Sequence, residues 1–225
     1  MPRRQLHEHD FGTQVACVAE TFGAIPLEGT GIPQSQRLQP KSETVLAIAI
    51  DAMLKSRPIS HHLAHKTTCG LIDHRYHLID TLANSTWEDR VQTLRQSGYN
   101  RYREQCATNL GNLAELVNNK YDGDLNQLLE GSHGHTEEIQ RRMKEIKGIG
   151  DLGAELFLDQ VHSVWPSVAP FLDSRSLKTA EEIGIGTDLD AIYDELGQDS
   201  VSMSKFASGL SKVRLEHKEH DIQAL

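Results

Sequence analysis

Arg141 to Gln160 reads RRMKEIKGIGDLGAELFLDQ, a charged helical run that meets Gly148-Ile149-Gly150 and passes at once into a second helix. Two glycines flanking one apolar residue predict a very tight turn, because glycine accepts positive φ and lets another backbone come close. The first amides of the second helix have no intrahelical acceptor and point outward. With the positive end of that helix and the adjacent Lys147 they make a cradle for an anion. A DNA phosphate suits such a cradle, and the contact would ignore base sequence. The simpler alternative is an αα-turn with Ile149 plugging the core. Gly148, Gly150 and Gly153 also match the GxGxxG spacing of a dinucleotide fingerprint, but that fingerprint follows a buried strand and RRMKEIK is charged and helical.

The rest of the chain supports a helical body around this segment. Apolar residues recur at helical spacing, as in Val45, Leu46, Ala49, Ile50 and Met53, then Leu110, Leu113, Ala114, Leu116 and Val117. No comparable period-two pattern occurs, so the expected fold class is all-α, with about ten helices. Ser42, Ser60 and Thr86 or Ser85 are candidate N-caps, and Gly184 a candidate helix stop after Asp173. Residues 1–40 are dense in glycine and proline and read as an N-terminal arm with one short helix near Gly12 to Thr21. Residues 41–225 read as the helical domain, with the hairpin at about 136–162. Gly131-Ser132-His133-Gly134-His135 reads as a flexible connector.

Composition narrows the partners. The 225 residues carry a net charge of −9, which counts against nucleic-acid binding over the whole surface. A DNA site must then be a local basic patch. The candidates are Arg95, Arg101 and Arg103, or Arg141, Arg142, Lys144 and Lys147, each set against the alternative of a solvated helix face. No stretch approaches the ~20 apolar residues of a membrane span. The longest apolar run, Val45 to Ile50, is too short and too late for a signal peptide, so an intracellular location, cytoplasmic or nuclear, is expected. Cys17, Cys69 and Cys106 suggest neither a disulfide framework nor a thiolate metal site. His61 with His65, and His133 with His135, have spacings open to a metal but read better as solvated histidines.

Lys147 to Ala154, then Trp165-Pro166 and Pro170, then Phe171-Leu172-Asp173-Ser174-Arg175 together resemble the helix-hairpin-helix (HhH-GPD) DNA glycosylase superfamily. The resemblance extends upstream to Gly98-Tyr99-Asn100-Arg101-Tyr102-Arg103 and the long helix from about Glu104 to Lys120, and covers most of residues 42 to 215. It implies two helical lobes, duplex DNA as partner, and the hairpin residues Lys147, Gly148, Ile149, Gly150 and Gly153 on phosphate, with Arg175 among the DNA-binding positions. It further implies that Asp173 is the catalytic carboxylate and that Arg57, in Ser56-Arg57-Pro58-Ile59-Ser60, is a wedge filling the gap left by a flipped base. Asp173 as a plain N-cap and Arg57 as a loop arginine without a role stand beside those readings.

In the chemistry so implied, the base is extruded and Asp173 stabilises positive charge on the deoxyribose as the glycosidic bond breaks. Bifunctional members carry a lysine two residues after the second hairpin glycine. Leu152 stands there, and leucine forms no Schiff base, so a monofunctional hydrolase is expected. No cysteine follows Cys106, which removes the four-cysteine iron–sulfur cluster of some branches; no cofactor and no metal are expected. Aromatic content is low at 5%, with Trp87, Trp165, Tyr76, Tyr99 and Tyr102 either stacking or core residues. The competing reading is a DNA-binding or scaffold protein that kept the hairpin and lost base excision.

Overall fold

In the computed structural model the described residues are 11–32 and 38–225. The start of the expected arm, residues 1–10, and its segment 33–37 with Pro33 lie outside the described residues. Among the described residues every regular element is a helix, as expected for an all-α chain. None is long and apolar enough to cross a membrane.

The chain forms two compact units, one of Leu27–Phe157 and one of Met1–Pro26 with Leu158–Leu225. Helix α1 comprises residues 11–17 and runs on as a π-helical turn, Val18–Phe22. Then follow α2 (Ser42–Lys55), α3 (His61–Asp73), α4 (Ile79–Asn84), α5 (Trp87–Gln96), α6 (Arg103–Tyr121), α7 (Asn126–Ser132), α8 (Thr136–Met143) and α9 (Asp151–Val161). After a 3-10 turn at Pro166–Val168 come α10 (Ser174–Glu182), α11 (Leu189–Glu195), α12 (Ser200–Glu216) and α13 (Glu219–Gln223). The helices outnumber the ten expected because short pieces such as α4, α11 and α13 leave little periodic pattern in the sequence.

In the Leu27–Phe157 unit, α2 is the buried helix: every residue from Thr44 to Leu54 is inaccessible. A helix apolar on all sides belongs at a centre. The one charged residue of that buried stretch, Asp51, is held by the Lys55 ammonium at 2.6 Å and the Thr68 hydroxyl at 2.8 Å. A buried carboxylate needs such partners. Ser60 caps α3 by accepting the Leu63 amide, and Thr86 forms a capping box with Asp89 on α5. Ser42 does not cap α2: the helix begins at Ser42 itself, Lys41 is the cap residue, and the Ser42 hydroxyl turns to Glu43. Gly131 and Ser132 belong to α7, so the expected connector shrinks to His133, Gly134 and His135.

In the other unit, α1 packs on α12, joining the two ends of the chain into one hydrophobic core. Val15, Val18 and Ala19 meet Met203, Phe206, Ala207, Leu210 and Val213 there. The helices approach so closely that a Cβ on Gly209 would lie 2.2 Å from the Val18 carbonyl oxygen. Glycine in a helix interior costs about 1 kcal/mol against alanine, and here the bare flank is what lets the two backbones meet. The Ala24 amide donates to Ser208 Oγ at 2.7 Å, and Gln14 Nε2 donates to the Ile222 carbonyl at 3.1 Å. Gly184, at φ +89°, ends α10 as expected.

Candidate functional site

The hairpin turn has the form its glycines require. Gly148 adopts φ +98°, and a Cβ there would lie 2.2 Å from Asn109 Nδ2 on α6. Both conformation and space exclude a larger residue. Ile149 is buried and its amide donates to the Ile146 carbonyl at 3.0 Å, so the plug and the turn are one feature. Gly150 is exposed, with open space where a Cβ would be, and α9 begins at the next residue. A Cβ on Gly153 would lie 3.1 Å from Ile149 and 3.5 Å from Ser56, which leaves this side of α9 against the 56–60 turn. Helix α8 stops at Met143, well before Gly148, because 144–147 turn back toward the helix end; Ile146 bonds the Met143 carbonyl at 3.1 Å.

Arg57 is brought to this turn. Its guanidinium donates to the Gly148 carbonyl at 3.5 Å and lines a shallow crevice with Met53, Tyr99, Tyr102, Gln105, Cys106 and Asn109. Burial pushes the Cys106 thiol up to about 12, with Arg57 pulling the other way. Cys106 is therefore an inert core thiol. Tyr99, Tyr76 and Trp165 are core aromatics, and Trp87 is exposed with its ring nitrogen on Thr108.

The cationic patch on α8 is not a field of free charges. Arg141 bonds Glu138 at 2.7 Å and Glu145 at 3.4 Å, Arg142 bonds Glu138 at 2.6 Å, and Lys120 pairs with Glu145. Hydrogen bonds from Arg141 and Arg142 hold the Glu138 carboxyl down to about 2. Such exposed pairs add little stability, but they cancel the local potential. Lys144 is taken by Asp151 at 2.8 Å. Lys147 is exposed and, among the described residues, makes no ion pair. In the upstream patch Arg103 pairs with Glu104 at 3.6 Å and Arg101 lies over the Tyr102 ring.

Asp151 was missed by sequence reasoning. It opens α9 with a side chain 85% exposed, and the Lys144 hydrogen bond lowers its carboxyl below the usual range. A carboxylate at a helix N-terminus satisfies the positive end that would otherwise attract a phosphate.

Asp173 lies in the unit that contains α10 and α12. Extended at φ −63° and ψ 157°, it caps α10 by accepting the Arg175 amide at 2.9 Å, while the Ser176 hydroxyl donates to its other oxygen. Its own amide donates to Asp159 Oδ1 at 2.8 Å. Asp173 and Ser176 have no exposed surface, Asp159 is 5% exposed, and the Arg175 side chain stands in solvent. Asp159 and Ser176 also escaped the sequence reading. Their signals were a charged residue inside the apolar run of α9 and a serine at the third position of α10.

His162, just past α9, is a further buried polar group of this unit. It is wholly buried, among the described residues neither ring nitrogen has a hydrogen-bond partner, and burial pushes its pKa down to about 3. Among the described residues no group of three or more histidine, cysteine, aspartate or glutamate side chains is placed to hold a metal ion. His65 bonds the Glu28 carbonyl at 2.9 Å, and His74 the Gly70 carbonyl at 2.8 Å.

No family model and no curated protein sequence matches the chain. Two solved structures are similar to it. One is the 3-methyladenine DNA glycosylase of H. pylori bound to 1,N6-ethenoadenine, at a TM-score of 0.54 and 12% identity over 92% of this chain and 98% of that one. The other is endonuclease III in a trapped covalent intermediate with DNA, an estranged-adenine complex, at a TM-score of 0.51 and 14% identity over 93% of this chain and 85% of that one. The chain therefore has the all-helical fold of the helix-hairpin-helix DNA glycosylases.

Proposed function

We propose that the protein binds duplex DNA and hydrolyses the glycosidic bond of a damaged or modified base. The observation that carries the binding half is the turn at 148–151. Gly148 has the left-handed φ of +98°, Gly150 is exposed with open space where a Cβ would be, and α9 starts at once. A phosphate there meets the free amides of the first turn of α9 together with Lys147. Arg57, tied to the Gly148 carbonyl, stands at the edge of the same turn; Arg175, exposed two residues after Asp173, is a further proposed DNA-binding cation.

Asp173 supplies the chemistry. As the bond from C1′ to the base nitrogen breaks, the base departs with the bonding pair and takes up a proton, and water oxygen bonds to C1′. The carboxylate offsets the positive charge that develops on the sugar. Leu152 offers no amine, so water is the nucleophile. A second reading, DNA binding without excision, is favoured by one observation: Asp173 has no exposed surface and both its oxygens already accept hydrogen bonds within α10.

Duplexes carrying alkylated, deaminated or oxidised bases, followed by alkaline cleavage of abasic sites, separate the two. The hydrolase reading expects strand cleavage on at least one lesion only after alkali, falling at least about 100-fold in Asp173→Asn. Salt-sensitive duplex binding with no base release would establish the second reading.

A further inference from the structure

We propose that Asp159 is a positioning residue for Asp173, an inference that rests on the hydrolase reading for its catalytic consequence. The Asp173 backbone is tied to a side chain outside its own helix: its amide donates to Asp159 Oδ1 at 2.8 Å. A bond from an amide to a carboxylate is charge-assisted and stronger than a neutral one. Asp159 is itself fixed on two sides. It lies in the last turns of α9, and its carbonyl accepts the Ser204 hydroxyl of α12 at 2.9 Å. Asp159 thus joins α9, α12 and the residue that opens α10.

The two ends of Asp173 have separate tasks in this arrangement. Its carboxylate is oriented within α10, by the Arg175 amide and the Ser176 hydroxyl. Those bonds set the torsion of the side chain but move with the helix. The Asp159 bond sets where the head of α10 sits against α9. A carboxylate acting on a developing charge depends steeply on position, and a displacement of about 1 Å can lower a rate about 100-fold. A buried acid used only to stabilise would be expendable to an apolar residue of similar size. An acid used to position should be replaceable by a side chain that keeps its oxygen.

The test compares Asp159→Asn, which retains an acceptor oxygen, with Asp159→Ala, in the full chain. The amide proton of Asp173 is followed by hydrogen exchange, and base release by single-turnover kinetics on the lesion duplex that the wild type cleaves. Expected in Asp159→Ala are Asp173 amide exchange at least about tenfold faster and excision at least about tenfold slower, with duplex affinity unchanged. Asp159→Asn should keep both within about threefold of wild type. Should Asp159→Ala not fold, the Asp173 amide resonance of Asp159→Asn decides, because weakening a charge-assisted bond must move it upfield. Unchanged protection in Asp159→Ala, an unmoved resonance in Asp159→Asn, or full excision after the protection is lost would each overturn the proposal. A wild type that releases no base sinks the hydrolase reading, and the exchange result then still decides whether Asp159 fixes Asp173.

Discussion

Lowering the pH from about 7.5 to about 5 is expected to remove about 2 kcal/mol of stability through His162 alone. The ring is wholly buried, and among the described residues neither nitrogen has a hydrogen-bond partner. Protonation inside would strand a charge with no partner, so burial moves the folded-state pKa from 6.5 down to about 3. Between those values the unfolded chain binds a proton that the folded chain refuses. The contribution is fully present above pH 6.5 and is lost as the pH falls toward the folded value. Urea unfolding followed by circular dichroism at several pH values measures it. Wild type should lose about 2 kcal/mol more than His162→Leu over that interval. Parallel pH profiles for the two proteins would refute the assignment.

Removing the Asp151 carboxylate is expected to tighten duplex binding about tenfold at about 0.1 M salt. Two effects act in the same direction. The helix end loses the anion that occupies its positive pole, and Lys144, now bonded to Asp151 at 2.8 Å, becomes free to meet a phosphate. The gain should come with a salt dependence steeper by about one unit in the log–log slope. Fluorescence anisotropy with a labelled duplex across a salt series reads both for Asp151→Asn, and Asp151→Lys should go further. The same substitution sacrifices a favourable helix-dipole contact of roughly 0.3–1 kcal/mol, so stability and affinity should move oppositely. Unchanged affinity and slope in both variants would mean that phosphate does not approach this end of α9.

The hairpin was legible because its requirement is local. Gly148-Ile149-Gly150 can make few other turns, and the positive φ at Gly148 and the buried Ile149 follow from the residues themselves. The basic character read into α8 was misleading for an equally local reason. Glu138 stands three and four residues before Arg141 and Arg142, and Glu145 four after Arg141, so the cations answer carboxylates on α8 or in the turn that follows it. The pairs Lys144 with Asp151 and Lys120 with Glu145 depend on how the chain returns on itself, and no sequence spacing announces them.

Long-range packing was the least legible part. The glycine- and proline-rich start of the chain reads as an arm, yet α1 shares a core with α12. The clue was Gly209, a residue that weakens a helix unless another backbone must come close. Asp173 was placed by resemblance and found capping α10. Its hold on Asp159 is a contact between residues fourteen positions apart, set by the 3-10 turn at Pro166–Val168 and the loop around it.

The hairpin is proposed to grip the DNA backbone. That grip is tested most directly by titrating a short duplex into 15N-labelled protein and following the backbone amides. The Gly150, Asp151 and Leu152 resonances are expected to move most, with salt reversing the shifts in step with dissociation. Duplex binding that leaves these amides unmoved while others shift would contradict the proposed grip.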